Sequence, residues 1–347
     1  MLWLWILLIV IGSLALITLL FALLCMNAAF GVRCEGNPDL KYFTHEDFDD
    51  LCAEEISFPS NKGQILKGAI YTAQGVRPTA LVVFAHGMGG GHLSYTTNIR
   101  TIAKAGFAVL AYDNTGTMAS EGKSLGSFYQ SVKDLRHALK FVSENKKLNK
   151  YKIVLAGHSW GAYTVCQALA FAEEQVSGVV AFSPPDSAAG VVCENMKQIM
   201  HIPTGWLRPA LWLASIIKGG FAAAHTCSSV LLNTDKVPVM ILQGEEDKAV
   251  SIKNSPLSYL DIIAKENITN ILYEGKAHNV YQTKESEKYL NEVFDEIAKT
   301  KKRYGKKEIP PEEKARIYDI DYDLIVEEDP EVMKKVTDFI KKCTKNY

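Results

Sequence analysis

Apolar and polar positions run along this chain in two rhythms that take turns. "AEEISFPS" (53–60) and "QILKGAIYTA" (64–73) alternate residue by residue around the turn "SNKG", the pattern of strands with one buried face. "TALVVFAHG" (79–87), "FAVLAYD" (107–113), "KIVLAG" (152–157), "SGVVAFS" (177–183) and "VPVMILQG" (237–244) are continuous apolar runs, as in strands covered on both faces. "NILYEG" (270–275) predicts a last strand. Between the strands the period becomes helical. Ile99, Ile102 and Ala103 share one face before Gly106. Phe128, Val132, Leu135, Leu139 and Val142 follow a capping box read at Ser127 and Gln130. Ala162, Val165, Cys166 and Leu169 form another stripe, and Leu290, Val293, Phe294 and Ile297 a fourth. Met333, Val336, Phe339, Ile340 and Cys343 follow a helix start at Asp329–Pro330. Strand–helix alternation with apolar strands predicts an α/β fold. Its sheet is mostly parallel, with about eight strands, helices on both faces and the first two strands as an antiparallel hairpin at one edge.

Three segments break the alternation. Residues 2–32 contain no charged side chain, and about 20 apolar residues suffice to cross a bilayer. The run exceeds the 7–15 residues usual for a signal h-region and lacks a basic flank before it, so an uncleaved transmembrane anchor is expected. Arg33 and Lys41 follow the span, which leans toward a cytoplasmic body. Residues 184–236 separate two core strands by more than an ordinary connection. They include the apolar "WLRPALWLASIIKGGF" (206–221), expected to form a cap over a pocket. Residues 299–329 open with Lys299, Lys301, Lys302, Arg303, Lys306 and Lys307 and close with "DIDYDLIVEED", the signature of a solvated face. The expected organisation is an anchor (1–32), a linker (33–50), a core (51–183 and 237–298), a cap insertion (184–236) and a charged extension with a terminal helix (299–347).

Overall composition adds exclusions. Hydrophobic residues make up 48% of the 347 and charged residues 22%, enough for a large core. A formal net charge of −1 gives no reason to expect a nucleic-acid partner. Seven cysteines occur without CxxC or Cys/His ligand spacing, so no metal site is expected. Cys193–Cys227 is the pair expected if the body is extracytoplasmic.

Chemistry enters at "LAGHSWGAYT". Gly157-His158-Ser159-Trp160-Gly161 is G-x-S-x-G between a buried strand and a helix, the context of a nucleophile elbow. The turn leaves no room for a Cβ at the flanking glycines, and the helix N-terminus favours developing negative charge. A serine hydroxyl needs a base, and the base an orienting acid. "HGMGGGH" (86–92) follows the strand at 79–85. It places His86 and Gly87 in the loop and makes the Met88 and Trp160 N–H groups candidate oxyanion donors. "GEEDKAV" provides Asp247, with Asp186 and Asp113 as other positions for an acid, and "GKAHNVY" provides His278 as base.

With "HGMGG", "YDNTGTMASEG", "GHSWG", "GEEDKAV" and "GKAHNVY" in this order, residues from about Ile56 to Ile297 resemble the α/β-hydrolase fold family. Within it they are most similar to its monoglyceride-lipase-like and serine-aminopeptidase-like group. "DNTGTMAS" departs from the D-x-R-G-x-G-x-S often found there: it lacks the arginine and has Met118 at the second glycine. The resemblance implies a Ser159–His278–Asp247 triad, an acyl-enzyme and no cofactor. The implied substrate is an acyl ester or lipid, and the apolar composition of the cap, with Trp206, Trp212, Ile216 and Phe221, suggests that it receives a hydrophobic acyl or aromatic group. A peptidase or acyl transferase with the same triad, and a non-catalytic binding protein, are the alternatives.

Overall fold

The structure, a computed structural model, describes residues 1–305 and 307–345. Every expected strand is present, and all lie in one sheet. They are β1 (Leu51–Pro59), β2 (Ile65–Ala73), β3 (Leu81–Ala85), β4 (Ala108–Tyr112), β5 (Ile153–His158), β6 (Gly178–Phe182), β7 (Val239–Gly244) and β8 (Ile268–Tyr273). Their order is β1-β2-β4-β3-β5-β6-β7-β8. β1–β2 and β2–β4 pair antiparallel, and the other neighbours pair parallel. The chain leaves β3 toward β4 on one side and later returns to place β5 on the other. The carboxyl ends of β3 and β5 therefore flank the switch point where open α/β sheets bind ligands.

The continuous apolar runs are explained by two cores, one per face of the sheet. Val83 and Leu155 point into one, Val82, Phe84 and Val154 into the other. The first is covered by α3 (Gln130–Glu144) and α4 (Trp160–Ala172), the second by α2 (Thr96–Lys104) and the terminal helix. Ser127 does not cap α3, which starts at Gln130 with no side-chain cap. The Gln130 amide donates instead to Asp134 (2.9 Å), a carboxylate with no solvent exposure that also takes Ser60 and Thr115. A buried carboxylate that must be satisfied outcompetes a local cap.

α1 (Leu2–Phe30) has a mean hydropathy of 3.0 over 18 residues, long and apolar enough to cross a bilayer. Only Ala22, Met26 and Phe30 on its last turns are buried. Beyond it, Arg33 donates to the carbonyls of Ser120 (2.7 Å), Gly122 (3.0 Å) and Met118. The loop that lacks its own arginine is thus braced by one from the linker. The residues between β6 and β7 form α5 (Ala188–Met200), α6 (Arg208–Gly219) and α7 (Cys227–Leu232). α6 packs on α5 and on α1, and α7 on α4. Cys193 and Cys227 are not joined: their thiols face the carbonyls of Thr204 and Tyr163.

After the short α8 (Leu260–Ile263), α9 runs Lys284–Tyr304, followed by α10 (Pro311–Ile317), α11 (Tyr322–Ile325) and α12 (Pro330–Thr344). Lys301 pairs with Asp39 and Arg303 with Glu313, while Lys306 of the basic run lies outside the described residues. Asp329 caps α12 by accepting from Glu331 and Val332 N–H groups. Val332, Met333, Val336 and Ile340 bury the helix on the sheet.

Beside the cap, Glu328 accepts from Asn98 and Thr101 of α2. Burial pushes its carboxyl up from 4.5 to about 7. The folded state therefore holds this proton more tightly than the unfolded chain, so the folded state's advantage is greatest at low pH and is lost as pH rises through about 7. The loss over this window is expected to be about 2–3 kcal/mol. A Glu328→Gln variant should lack this slope in urea unfolding between pH 5 and 8, and an unchanged slope would assign it elsewhere.

Candidate active site

The site forms where β3, β5, β7 and β8 end. β3 runs into His86, which is wholly buried. Its Nε2 accepts from the Asn114 N–H (2.9 Å), so Nδ1 carries the proton and donates to the Gly87 carbonyl (2.6 Å). Burial lowers its pKa, and the ring pins the loop as a neutral group. The Gly87 N–H donates to the Tyr95 hydroxyl (3.0 Å), which donates to His158 Nδ1 (2.8 Å). His158 Nε2 in turn donates to the His278 carbonyl (3.2 Å). Burial, with His278 beside it, holds His158 well below the usual histidine range. One buried relay thus ties the loop after β3 to the turn after β5 and the loop after β8. His92, at the end of the glycine run, is held by Asp113 through Nδ1 (2.7 Å) and its N–H (2.9 Å).

Ser159 stands between β5 and α4 with φ 54° and ψ −114°, a backbone that a non-glycine residue adopts only under constraint. The constraint is visible in its neighbours. A Cβ on Gly161 would lie 1.9 Å from the Ala85 carbonyl oxygen, and one on Gly157 would lie 2.5 Å from Gly161. β3, β5 and α4 meet so closely that only glycine fits on either side of the serine. Trp160 anchors α4 below, its indole donating to the Phe128 carbonyl (2.7 Å). Among the described residues, neither the Met88 nor the Trp160 N–H has a protein acceptor.

Of the three candidate acids, Asp247 is the one at His278. Its Oδ2 accepts from His278 Nδ1 (2.8 Å) and Gln243 Nε2 (2.8 Å), and its Oδ1 from the Ala249 (2.9 Å) and Val250 (2.8 Å) N–H groups. Asp186 serves the Ser228 N–H (2.7 Å) and Asp113 serves His92. A carboxylate only accepts, so the His278 proton sits on Nδ1 and Nε2 keeps its lone pair. Ser159 and His278 line one cavity of about 420 Å³. No hydrogen bond joins their side chains; in free enzymes such contacts are often long and close in the substrate complex.

Trp206, Trp212, Ile216 and Phe221 do not line this cavity. α6 is drawn to the side by its packing on α1. Trp206, Trp212 and Phe221 are exposed there, Phe221 at 88%. The cavity's outer wall comes from the linker, α9 and the segment around α11. Gln243 and Tyr95 were not singled out from the sequence. Gln243 had a signal, a polar side chain inside the apolar strand "VPVMILQG"; Tyr95 had none.

The family model described as serine aminopeptidase, S33, matches residues 76–221, which hold the loop after β3 and Ser159. The acylamino-acid-releasing enzymes of Rattus norvegicus and Sus scrofa are each 24% identical to this chain over 239 and 240 residues. Those stretches are 62% of this chain and 30% of either relative, so the chain spans about a third of their length. Among solved structures, the esterase Pf2001 of Pyrococcus furiosus superposes with a TM-score of 0.57 at 20% identity, covering 78% of this chain and 99% of that one. The α/β hydrolase GrgF from Penicillium sp. sh18 gives 0.51 at 19%, covering 70% and 97%. By its sheet the chain has the α/β-hydrolase fold, and its residues 76–221, around Ser159, are similar to the serine aminopeptidases described by that family model.

Proposed function

We propose that the chain is a membrane-anchored serine hydrolase that cleaves a carboxylic ester through Ser159, His278 and Asp247. The observation that carries this reading is the state of His278: its Nδ1 proton is committed to Asp247 at 2.8 Å, and its Nε2 lone pair is free beside the cavity that Ser159 enters. In the proposed cycle Nε2 takes the Ser159 proton as Oγ attacks the ester carbonyl. Asp247, satisfied by four donors, stabilises the imidazolium without accepting its proton. The Met88 and Trp160 N–H groups receive the oxyanion. The imidazolium then protonates the departing alkoxide. Water, deprotonated by His278, releases the acid from the acyl-serine.

A fluorophosphonate probe tests the reading. One probe per chain, on the peptide holding Ser159, is the expected result, and folded protein that takes none would sink it. The relatives' names favour a second reading, release of an N-acylated amino acid by the same acyl-enzyme. Turnover of p-nitrophenyl esters against N-acetylaminoacyl anilides separates the two.

Membrane anchoring is supported by α1 and by the surface next to it. Lys218 of α6 reaches Asn27 of α1 (3.0 Å), and Ile199, Trp206, Trp212, Ile217 and Phe221 lie exposed nearby. Residues 195–234 contain Lys197, Arg208 and Lys218 but no acidic residue, which suits a lipid headgroup surface. The full chain should float with anionic vesicles, and a Trp212→Glu/Phe221→Glu variant should release a chain lacking residues 1–21 from them. Equal binding of that shortened chain with and without the two glutamates would exclude this face.

A further inference from the structure

The cavity that holds Ser159 and His278 is completed by two segments from opposite ends of the chain. Leu40 and Phe43 come from the linker; Leu290 and Phe294 of α9, with Ile325 and Val326 at α11, come from the C-terminal region. These segments form a small core of their own, in which Leu40 packs with Val293, Ile297, Ile317 and Ile325. Polar contacts lock them together. The Lys41 N–H donates to the Tyr322 hydroxyl (3.1 Å), and Asp39 receives the Tyr318 hydroxyl (2.7 Å) and the Lys301 ammonium (2.6 Å). The Phe43 and Tyr322 rings meet edge to face at 6.2 Å. The wall is a built structure, and Leu40, Phe43, Leu290, Phe294, Ile325 and Val326 make most of its lining apolar, beside Asn37, Lys41, Tyr42 and Tyr322.

Carboxylates are missing from that face. Among the described residues, no aspartate or glutamate lines the cavity. The Lys41 ammonium that borders it is paired with Asp47 at 2.6 Å. A free α-amine on the substrate would lose its hydration there and gain no counter-ion, and a carboxylate would meet only a lysine already paired with Asp47. The volume of about 420 Å³ lies within the span of about 300–1,000 Å³ for small-molecule sites. Polar groups of Asn279, Gln282 and Ser94 sit on the side of the catalytic loops.

We propose that the linker and the α9–α11 segment together form the acyl-binding wall, which selects carboxylic esters with an uncharged, apolar acyl group. This rests on the serine-hydrolase reading above. The C-terminal extension thereby becomes a specificity element, doing what a cap does where the insertion after β6 lies over the site. Val326 is half-buried against the cavity, so its size sets the space available.

The experiment is a p-nitrophenyl ester series from acetate to decanoate on full-length protein in detergent. It compares wild type, Val326→Trp and Val326→Ala, with active sites counted by fluorophosphonate and folding followed by circular dichroism. Each methylene that enters an apolar wall is worth about fourfold in kcat/KM. The octanoate-to-acetate ratio should therefore fall by about tenfold or more in Val326→Trp, and Val326→Ala should move the preferred chain longer. Should the tryptophan fail to fold, the alanine carries the test. The 6-aminohexanoate ester should be poorer than hexanoate by at least about tenfold. Unchanged ratios in variants that still take the probe would overturn the acyl wall and leave the serine-hydrolase reading standing. Preference for the charged ester would do the same. A wild-type protein without probe on Ser159 would remove both readings.

Discussion

Replacing Ser159 by alanine is expected to lower kcat toward p-nitrophenyl esters by about 10⁵–10⁶-fold, the scale seen when a nucleophile is removed from a triad acting as a unit. The residual rate would come from the oxyanion donors and from binding, which survive the substitution. KM should change by less than about threefold, because Oγ contributes to the transition state far more than to the ground state. Folding should be nearly untouched. The strained backbone at φ 54° costs alanine about what it costs serine. The hydroxyl, half-buried at the cavity, leaves no buried donor unpaired when it goes, so a stability change within about 0.5 kcal/mol is expected. Steady-state kinetics and thermal melting on the same preparation check both halves. More than about 1% of wild-type kcat in Ser159→Ala would mean that another group attacks the carbonyl.

Asp247→Asn is expected to cost about 10⁴-fold in kcat, through a different route. All four hydrogen bonds to the carboxylate arrive from donors: His278 Nδ1, Gln243 Nε2 and the N–H groups of Ala249 and Val250. An asparagine places an NH₂ group against one pair of them. If that NH₂ faces the loop, two N–H groups lose their acceptor. If it faces His278, Nδ1 becomes the acceptor and the ring proton moves to Nε2, the position from which the base must act. Either way the imidazolium loses its counter-charge. The carboxylate has no exposed surface, so stability should drop as well, by about 1–3 kcal/mol for the donors left unsatisfied. Fluorophosphonate labelling should slow in step with kcat. A variant that melts lower yet labels at the wild-type rate would reduce Asp247 to a structural loop anchor, and Asp186 or Asp113 would not replace it, since both are committed elsewhere.

Much of the fold was legible because it depends on neighbours in sequence. Period-2 and continuous apolar runs marked every strand, and the glycines around Ser159 marked the elbow, where the collision of a Cβ with Ala85 is nearly unavoidable once a strand turns straight into a helix. The capping box read at Ser127 failed for the opposite reason: the partner that claimed Gln130 was Asp134, held in the core by Ser60 and Thr115 from the loops after β1 and β4. The cap failed similarly. Composition showed that residues 206–221 needed apolar company, but whether they found it over the cavity or along α1 was a matter of packing.

The amino-acid order by itself determined the strands, the turn that presents Ser159, the sequence of serine, acid and histidine, and a helix apolar enough for a bilayer, because each is set by side-chain period or backbone sterics over a few residues. Only the tertiary structure decided that Arg33 braces a loop some 85 positions away, that Asp134 and not Ser127 claims Gln130, and that the wall of the cavity is shared by residues 281 positions apart. Those choices follow from which surfaces bury one another and which buried charges must be paired, and such competition is settled only when the whole chain has packed.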